Sequence, residues 1–509
     1  MKKIINIFKK FKFSPGRGLS SKAIRGGFWV FSLRITDRVF KLLRTIVLAR
    51  LLSPKDFGLF GIALLVLSIL ETFTESGFQY ALIQKKGETR SFLDTAWTIG
   101  LIRGFAIAVI VFFVAKPASI FFGAPDAEPI LQVIAASIIL HNLKNIAVLY
   151  FQKELEFKNY FKYQFVGTIV DVTVALTLAL LLKTVWALVF GLLAGNMARC
   201  IMSYIIEPYR PRIKVNIRQA KELFNFGKWV LGSSIVVFLA IQGDDIFLGK
   251  VLGATALGFY QMAFRFANLP GSEIGVLSRV AFPAYSKLQD NIPKLKNAYL
   301  RTVRFIIFLS MPLAGGIFIL APQFTQIFLG EKWMPMVPAL KILAISAMVR
   351  VMIGTGGALF NSRGRPDLDF KMNLCRVITL AITIYPLTML WKIAGTSLSV
   401  LLAVCACIPV WFAGSKKQAG LSFKDFQGIL LPPLSGTVVM ASVIFILGMF
   451  FNQYSLVGFL FSIVIGIVAF IGIIFLYRKI LHYNVFEDMK LIFNSLGIKR
   501  KRSFEGKNS

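Results

Sequence analysis

The chain has 509 residues, of which 56% are hydrophobic, and its mean hydropathy is +0.70. A soluble globular domain of this size does not have such a composition, so that class of protein is excluded. The formal net charge is +34. The basic residues lie in separate clusters between apolar runs, however, and this distribution excludes a nucleic-acid-binding protein.

Long apolar runs recur along the whole chain, each close to the ~20 residues that a helix needs to cross a bilayer. We therefore predict an all-α polytopic membrane protein with about fourteen transmembrane helices. The predicted spans are 27–49, 58–83, 94–115, 129–150, 161–182, 185–206, 228–249, 257–283, 302–321, 336–360, 370–390, 394–413, 429–450 and 456–476.

The basic residues alternate from one connection to the next. The N-terminal arm 1–26, the connection that holds Lys85, Lys86 and Arg90, and the linker 208–226 are rich in Lys and Arg, whereas the opposite loops hold one or two each. By the positive-inside rule we expect both termini, including the basic tail 478–509, to be cytoplasmic in a multi-pass protein of the cytoplasmic membrane. We expect no cleaved signal sequence in the basic arm.

The first predicted span, "FWVFSLRITDRVFKLLRTIVLA", carries five charged residues. At 100° per residue, Arg34, Asp37, Arg38, Lys41 and Arg44 lie within about 120° of arc. A charged residue at mid-membrane costs roughly 2.5–3.5 kcal/mol, so this face must contact protein or water. Two explanations remain: the bases bind an anionic ligand, or they pair with acids on neighbouring helices.

Further charged residues in the first half of the chain bear on this choice. The bases Arg103, Lys144 and Arg199 lie in later spans, and the acids are fewer. Glu71 and Glu75, one turn apart, are candidates for carrying a coupling H⁺ or Na⁺ or for pairing with the first-span bases. Asp171 has the same two alternatives, with Arg199 as its partner.

The chain contains an internal repeat. Placing residue n over residue n+200 pairs Gly27 with Gly227, Trp29 with Trp229, Arg50 with Lys250, and Gly58 with Gly258, and "SIFFG" ending at Gly123 faces "QIFLG" ending at Gly330. Six spans therefore repeat in the same orientation, and in such transporters the sites lie between the halves. The second half has lost the cationic face, since Ser234, Val237, Phe238, Ile241 and Asp244 stand opposite the five charged residues.

These features predict the following organisation of the chain. Two six-helix lobes surround a central cavity, and two helices are added after them. The predicted segments are the basic arm 1–26, the N-terminal lobe 27–207, the linker 208–226, the C-terminal lobe 227–414, the two additional helices 415–477 and the tail 478–509. The cysteines, Cys200, Cys375, Cys405 and Cys407, lie inside predicted spans without metal-ligand spacing, so we expect no metal site and no cofactor.

Two stretches resemble a known family. "ARLLSPKDFGLFGIALLVLSILETFTESGFQYALIQKK", 49–86, and "GDDIFLGKVLGATALGFYQMAFRFANLP", 243–270, are similar to polysaccharide-repeat-unit flippases of the Wzx type, in the branch with colanic acid exporters and teichuronic acid transporters. The resemblance, over roughly 20–480, implies two six-helix bundles around a cavity. It also implies an undecaprenyl-diphosphate-linked oligosaccharide as cargo, moved from the inner to the outer leaflet.

The function predicted from these features is that of a flippase, not an enzyme. An excess of fixed cations in a wet cavity suits a diphosphate, and arginine binds its oxygens in bidentate fashion. The alternatives are a lipid II-type flippase and, less favoured, a multidrug or toxin extruder. We assign substrate binding to Arg34, Arg38, Lys41, Arg44, Arg103, Lys144 and Arg199. We assign ion coupling or charge pairing to Asp37, Glu71, Glu75, Asp171, Asp244 and Asp245. We assign the path or sugar contacts to Asp244, Asp245, Arg265, Glu273 and Arg350. Candidate protein partners are a polysaccharide polymerase and chain-length proteins.

Overall fold

The structure, a computed structural model, describes residues 36–74, 92–154, 156–481, 483, 485 and 487. The side chains of 152, 157, 218–234, 272–280 and 481 are not described, and the predicted site residues Arg34 and Glu75 lie outside the described residues. Within the described ranges the chain is helical and contains no strand, which confirms the all-α class. Nine helices there are long and apolar enough to cross a membrane. The count of fourteen spans stays a prediction.

The first half of the described chain contains six principal helices, α1 to α6. They are α1 (36–51), α2 (Pro54–Phe73), α3 (Leu93–Phe121), α4 (Ala127–Leu143), α5 (Phe157–Leu182) and α6 (Trp186–Ile206). Ser53 and Asp56 form a capping box at the beginning of α2. The Ser53 hydroxyl accepts a hydrogen bond from the Asp56 amide, and the Asp56 carboxylate accepts one from the Ser53 amide. These bonds satisfy backbone groups that the first turn of a helix leaves free.

The second half begins with a segment, Ile217–Ala267, that is broken at Gly253, where φ is 78°. A left-handed φ is readily adopted by glycine, so the chain divides here into α7 (217–252) and α8 (254–267). The remaining helices are α9 (Ile274–Leu288), α10 (Ile292–Phe324), α11 (Val337–Gly354), α12 (Gly356–Ser362), α13 (366–390), α14 (393–405), α15 (Ile408–Ala419), α16 (Phe423–Phe450) and α17 (Leu456–Leu481).

The predicted spans from 94–115 onward all overlap these helices. Their ends are modified by shorter turns. A π-turn, Thr325–Leu329, extends α10, and a 3₁₀ helix, Glu331–Met336, precedes α11. The span predicted at 257–283 is divided between α8 and α9, with the 3₁₀ turn Pro270–Glu273 between them.

The largest apolar core joins the two halves. Leu48 and Phe57 from the first half and Leu257 and Trp333 from the second are all buried within it. A smaller cluster joins α10 to the last two helices through residues such as Leu320, Met440 and Phe470. The close approach of α2 and α8 fixes the relative position of the halves where α1 ends.

Candidate functional site

The described part of the charged face on α1 is held by side chains of α5 and by a backbone carbonyl that follows α8. Lys41 lies 2.7 Å from Asp37, one turn earlier, and the Thr168 hydroxyl of α5 donates to the same carboxylate at 2.7 Å. Arg44 forms an ion pair with Asp171 of α5 at 2.9 Å, and both side chains are only 13% exposed. Arg38 donates to the backbone carbonyl of Leu269, across the boundary between the halves.

The predicted pairing of Asp171 with Arg199 is therefore replaced by pairing with Arg44. Arg199 remains within electrostatic range of Asp171, but its guanidinium donates to the neutral side chain of Asn196 at 2.9 Å. The Arg199 stem packs where Gly167 has no side chain, since a Cβ there would lie 2.3 Å from the arginine Cγ. Gly167 thus makes room for this arginine to lie between α5 and α6.

The other bases predicted in the first half, Arg103 and Lys144, lie near Arg199 and His141. Arg103 donates to the Glu71 carbonyl at 2.8 Å and to the Thr74 hydroxyl at 3.2 Å. Lys144 lies 2.9 Å from a ring nitrogen of His141 and within electrostatic range of Arg199.

Arg265 of α8 joins this group from the second half of the chain. It donates to the Thr45 hydroxyl at 3.0 Å and lies close enough to Arg44 to be repelled by it. Arg265 and His141 are both exposed, yet the protein around them desolvates both side chains. Because both side chains are exposed although protein surrounds them, we infer a space between the helices at this point, and we call it the internal space.

Positive charge predominates around this internal space, even though several bases have partners. Among the described residues of this region, the acids are Asp37, Glu71 and Asp171. The bases are Arg38, Lys41, Arg44, Arg103, Lys144, Arg199 and Arg265. The structure brings these bases together. That they bind an anionic ligand stays a prediction.

From the sequence, Arg265 was assigned to the path or sugar contacts of the second half. In the structure it lies beside α1, with the bases of the first half. Its counterpart in the repeat is Leu65, so the comparison of halves gave no sign of a basic residue there. The available signal was its position on a predicted span within the family-like segment 243–270.

A second buried polar cluster lies in the second half. Asp244 is 1% exposed and accepts a hydrogen bond from the Tyr260 hydroxyl, and Asp245 is 9% exposed. Arg350 lies within electrostatic range of Asp244 and donates to the Asn268 side chain at 3.0 Å. One oxygen of each carboxylate is buried with no hydrogen-bond partner among the described residues.

The halves also contact each other where α1 ends, through a group that we call the Arg50 latch: Arg50, Lys332 and Trp333. Arg50 donates to the carbonyls of Phe328 at 2.9 Å, Gln326 at 3.3 Å and Ile327, in the π-turn that ends α10. In return, Lys332 donates to the Arg50 and Leu52 carbonyls at 2.9 and 2.7 Å, and the Trp333 indole N–H donates to the Ala49 carbonyl at 2.9 Å. Each half thus supplies a cation to the C-terminal, partially negative end of a helix in the other.

The repeat predicts a matching contact from Lys250, the counterpart of Arg50. Lys250 lies over the Phe121 ring, 4.6 Å from its centroid. Phe121 ends α3 and belongs to "SIFFG", whose counterpart is the "QIFLG" that Arg50 contacts. The two contacts are related by the repeat, but one uses three carbonyls and the other an aromatic ring.

The fold is similar to that of the lipid II flippase MurJ in its inward closed conformation, with a TM-score of 0.73 and 16% sequence identity. The similarity covers 89% of this chain and 99% of that chain. It defines the protein as a multi-pass helical membrane protein with the same fold as that protein.

The family follows from the sequence comparison. The chain belongs to the polysaccharide biosynthesis protein family, whose model matches residues 47–338. It is 24% identical over 414 residues to the lipopolysaccharide biosynthesis protein WzxC of Escherichia coli (strain K12), covering 80% of this chain and 84% of that protein. It is 26% identical over 489 residues to an uncharacterized membrane protein in the cps region of Klebsiella pneumoniae, covering 94% and 99%.

Proposed function

We propose that the protein is a flippase that moves undecaprenyl-diphosphate-linked oligosaccharide units from the inner to the outer leaflet of the cytoplasmic membrane. The family and the fold support a flippase of polysaccharide precursors rather than an enzyme. The observation that carries the choice of cargo is the surplus of bases around the internal space, where Arg199 and Arg265 bond only to neutral side chains among the residues that the structure describes.

A diphosphate headgroup suits these two arginines for a physical reason. Charge-assisted hydrogen bonds to phosphate oxygens are roughly twice as strong as neutral ones, and a guanidinium can form two in parallel. A site that holds surplus positive charge away from bulk water is costly until an anion enters. We assign the diphosphate to the group that contains Arg44, Arg199 and Arg265, because they come from α1, α6 and α8 and converge on one space.

A lipid II-type flippase is the second candidate, because its cargo carries the same diphosphate and differs in its sugars. Similarity to the MurJ fold favours this alternative, and the family match favours a polysaccharide precursor. A multidrug extruder for cationic cargo is disfavoured by the surplus of bases. In this proposal a polysaccharide polymerase and chain-length proteins receive the flipped units.

We infer that transport proceeds by alternating access, with the two lobes rocking about the cavity. The Arg50 latch and the crossing of α2 and α8 close one end of the bundle. The positive-inside rule assigns this end to the outer side, because the basic linker lies at the other. Both termini are then cytoplasmic.

A coupling ion is part of the proposal. Asp244 and Asp245 are the candidates for carrying H⁺ or Na⁺, because each has a buried oxygen without a hydrogen-bond partner among the described residues. Asp37 and Asp171 are less suited, since each is already paired with a base.

The test of the proposed function compares Arg265→Gln and Arg199→Gln with Arg478→Gln, an exposed arginine at the end of α17. Reconstituted protein is assayed for folded yield, melting temperature and flipping of defined lipid-linked oligosaccharides. We expect the first two variants to fold and to lose roughly ten- to a hundredfold in cargo affinity, the equivalent of one charge-assisted contact, while Arg478→Gln flips normally. Normal flipping by both interior variants would overturn the assignment, and flipping of lipid II alone would select the second candidate.

A further inference from the structure

Residues 207–216, which we call the strap, connect the two halves. They lie at the end of the first half where α3 begins and α6 ends. Pro208 and Pro211 follow the end of α6 at Ile206. Proline cannot donate a backbone hydrogen bond and disfavours a helical residue before it. The helix therefore does not continue through the strap, and the backbone groups of the strap need other partners.

Those partners come from the first turns of α3. The amides of Arg212, Lys214 and Asn216 donate to Asp94, Thr98 and Thr95 at 2.9, 3.1 and 3.2 Å, respectively. Alternate amides thus point the same way, as they do in an extended chain. Both threonines are almost fully buried.

A second set of bonds holds the beginning of the strap. Asn145 is fully buried and donates to the carbonyls of Tyr209 at 2.6 Å and Glu207 at 3.5 Å. The Tyr209 hydroxyl donates to Asp94 at 2.6 Å, and burial together with this bond raises the pKa of Tyr209. The strap is therefore a fixed element of the fold.

The side chains of the strap are sorted by this backbone geometry. In an extended chain, successive side chains point to opposite faces. Ile213 and Val215 therefore share one face, and they are 81% and 49% exposed. Arg212 and Lys214 share the other, are exposed, and have no side-chain partner among the described residues.

The position of the strap indicates what contacts its apolar face and its basic face. It lies where α6 ends and α3 begins, and both helices are long and apolar enough to cross a membrane. The boundary between hydrocarbon and headgroups is therefore at the level of the strap. Exposed apolar side chains such as Ile213 suit the acyl side of that boundary, and cations suit phosphate headgroups.

We propose that the strap is a docking site for anionic glycerophospholipid, with Arg212 and Lys214 holding the headgroup phosphate and Ile213 and Val215 entering the acyl region. The occupant is bilayer lipid of the leaflet on this side, not the cargo. The site is distinct from the cationic interior, because its residues are on a segment outside the helices and contact α3 only through its first turns. Charge complementarity makes the lipid anionic.

The test uses full-length protein in uncharged detergent, mixed with phosphatidylglycerol or with phosphatidylcholine of the same chain length, and native mass spectrometry counts the retained lipids. The proposal predicts that wild-type protein retains phosphatidylglycerol preferentially. An Arg212→Gln/Lys214→Gln double variant should bind it roughly twenty-fivefold more weakly, at about fivefold per cation. Its binding of phosphatidylcholine should not change, and its melting temperature should match wild type because the backbone bonds remain.

Two further variants separate charge from apolar insertion. Lys116→Gln/Lys183→Gln removes two exposed lysines at the opposite end of the bundle, and it should leave phosphatidylglycerol binding unchanged. Ile213→Ser should weaken the binding of both lipids to a similar extent. Equal phosphatidylglycerol loss in the lysine control, or full retention by the strap double variant, would overturn the proposal. Displacement of the lipid by undecaprenyl diphosphate at equal concentration would also overturn it, because the strap would then be an entry site for cargo.

Discussion

Gly58 and Gly258 make the same close contact from opposite sides of the crossing between α2 and α8. A Cβ added to Gly58 would lie 1.7 Å from the carbonyl oxygen of Ala254, and one added to Gly258 would lie 2.0 Å from that of Pro54. Gly58 and Gly258 are 200 residues apart in sequence, and so are Pro54 and Ala254. The crossing therefore follows the internal repeat, and glycine is required at both positions because backbone occupies the space of a side chain.

The first prediction is that Gly58→Ala and Gly258→Ala each force the two helices apart. Overpacking of a close contact typically costs 1–3 kcal/mol, and here the obstruction is backbone that no rotamer change can move. We expect a lower melting temperature for each purified variant, together with impaired flipping.

Gly316→Ala is the matched control for the glycine variants. Gly316 also lies within a helix, and an added Cβ would have nothing within 4 Å. Alanine is favoured over glycine in a helix by up to about 1 kcal/mol, so this variant should melt at or above the wild-type temperature. Unchanged stability of Gly58→Ala would contradict the described crossing.

The second prediction concerns the Arg50 latch. Lys332→Gln removes a cation that caps the end of α1 with two hydrogen bonds. Charge-assisted bonds of this kind contribute about 1.5–3 kcal/mol, so the open state should become roughly ten- to a hundredfold more populated. A cysteine at Ala49, a fully buried position, should then react faster with a water-soluble maleimide in protein lacking the native cysteines.

Two comparisons test this effect. Lys250→Gln removes only the contact with the Phe121 ring, and it should accelerate labelling less than Lys332→Gln does. Lys183→Gln changes an exposed lysine that has no part in the latch and should have no effect. Equal labelling rates in all three variants would count against the latch.

The third prediction separates folding from transport at Arg44 and Asp171. Loss of one partner of a buried ion pair typically costs 3–5 kcal/mol, whereas replacement of both by apolar residues is often tolerated. Arg44→Ala should therefore give little folded protein, and Arg44→Met/Asp171→Leu should restore the yield without restoring flipping. Restored flipping in the double variant would exclude Arg44 as a ligand of the cargo.

The fourth prediction concerns the attachment of the strap. Asn145→Ala leaves the carbonyls of Tyr209 and Glu207 without their donor and should loosen the strap. Limited trypsin digestion should then cleave after Arg212 or Lys214 more rapidly than in wild type. Asn159→Ala removes only an exposed contact with Glu156 and serves as the control. Equal cleavage rates would show that Asn145 does not hold the strap.

Much of the helical architecture could be predicted from the sequence, because apolar length and helical periodicity are local properties. The repeat also predicted that Arg50 and Lys250 occupy related positions. The partners of the charged residues could not be predicted, because pairing depends on how distant helices pack. Asp171 pairs with Arg44 rather than Arg199, and Arg265 approaches α1 from the other half of the chain.

The strap shows the same limit. Its basic residues predicted a linker on the cytoplasmic side, and its prolines are visible in the sequence. That alternate amides bind Asp94, Thr95 and Thr98 could not be predicted, since nothing in the local pattern pairs a linker with the start of a helix more than a hundred residues earlier.

The unequal contacts of Arg50 and Lys250 imply an order of events. On one side of the boundary Arg50 donates to three carbonyls, and Lys332 and Trp333 donate in return, whereas on the other side the cation Lys250 makes only its contact with the Phe121 ring among the described residues. When the two lobes part, the Lys250 side should separate first and the Arg50 side should act as the hinge. The outer end would then open as a wedge, and the sugar chain of the proposed cargo would leave on the side of α3 and α7.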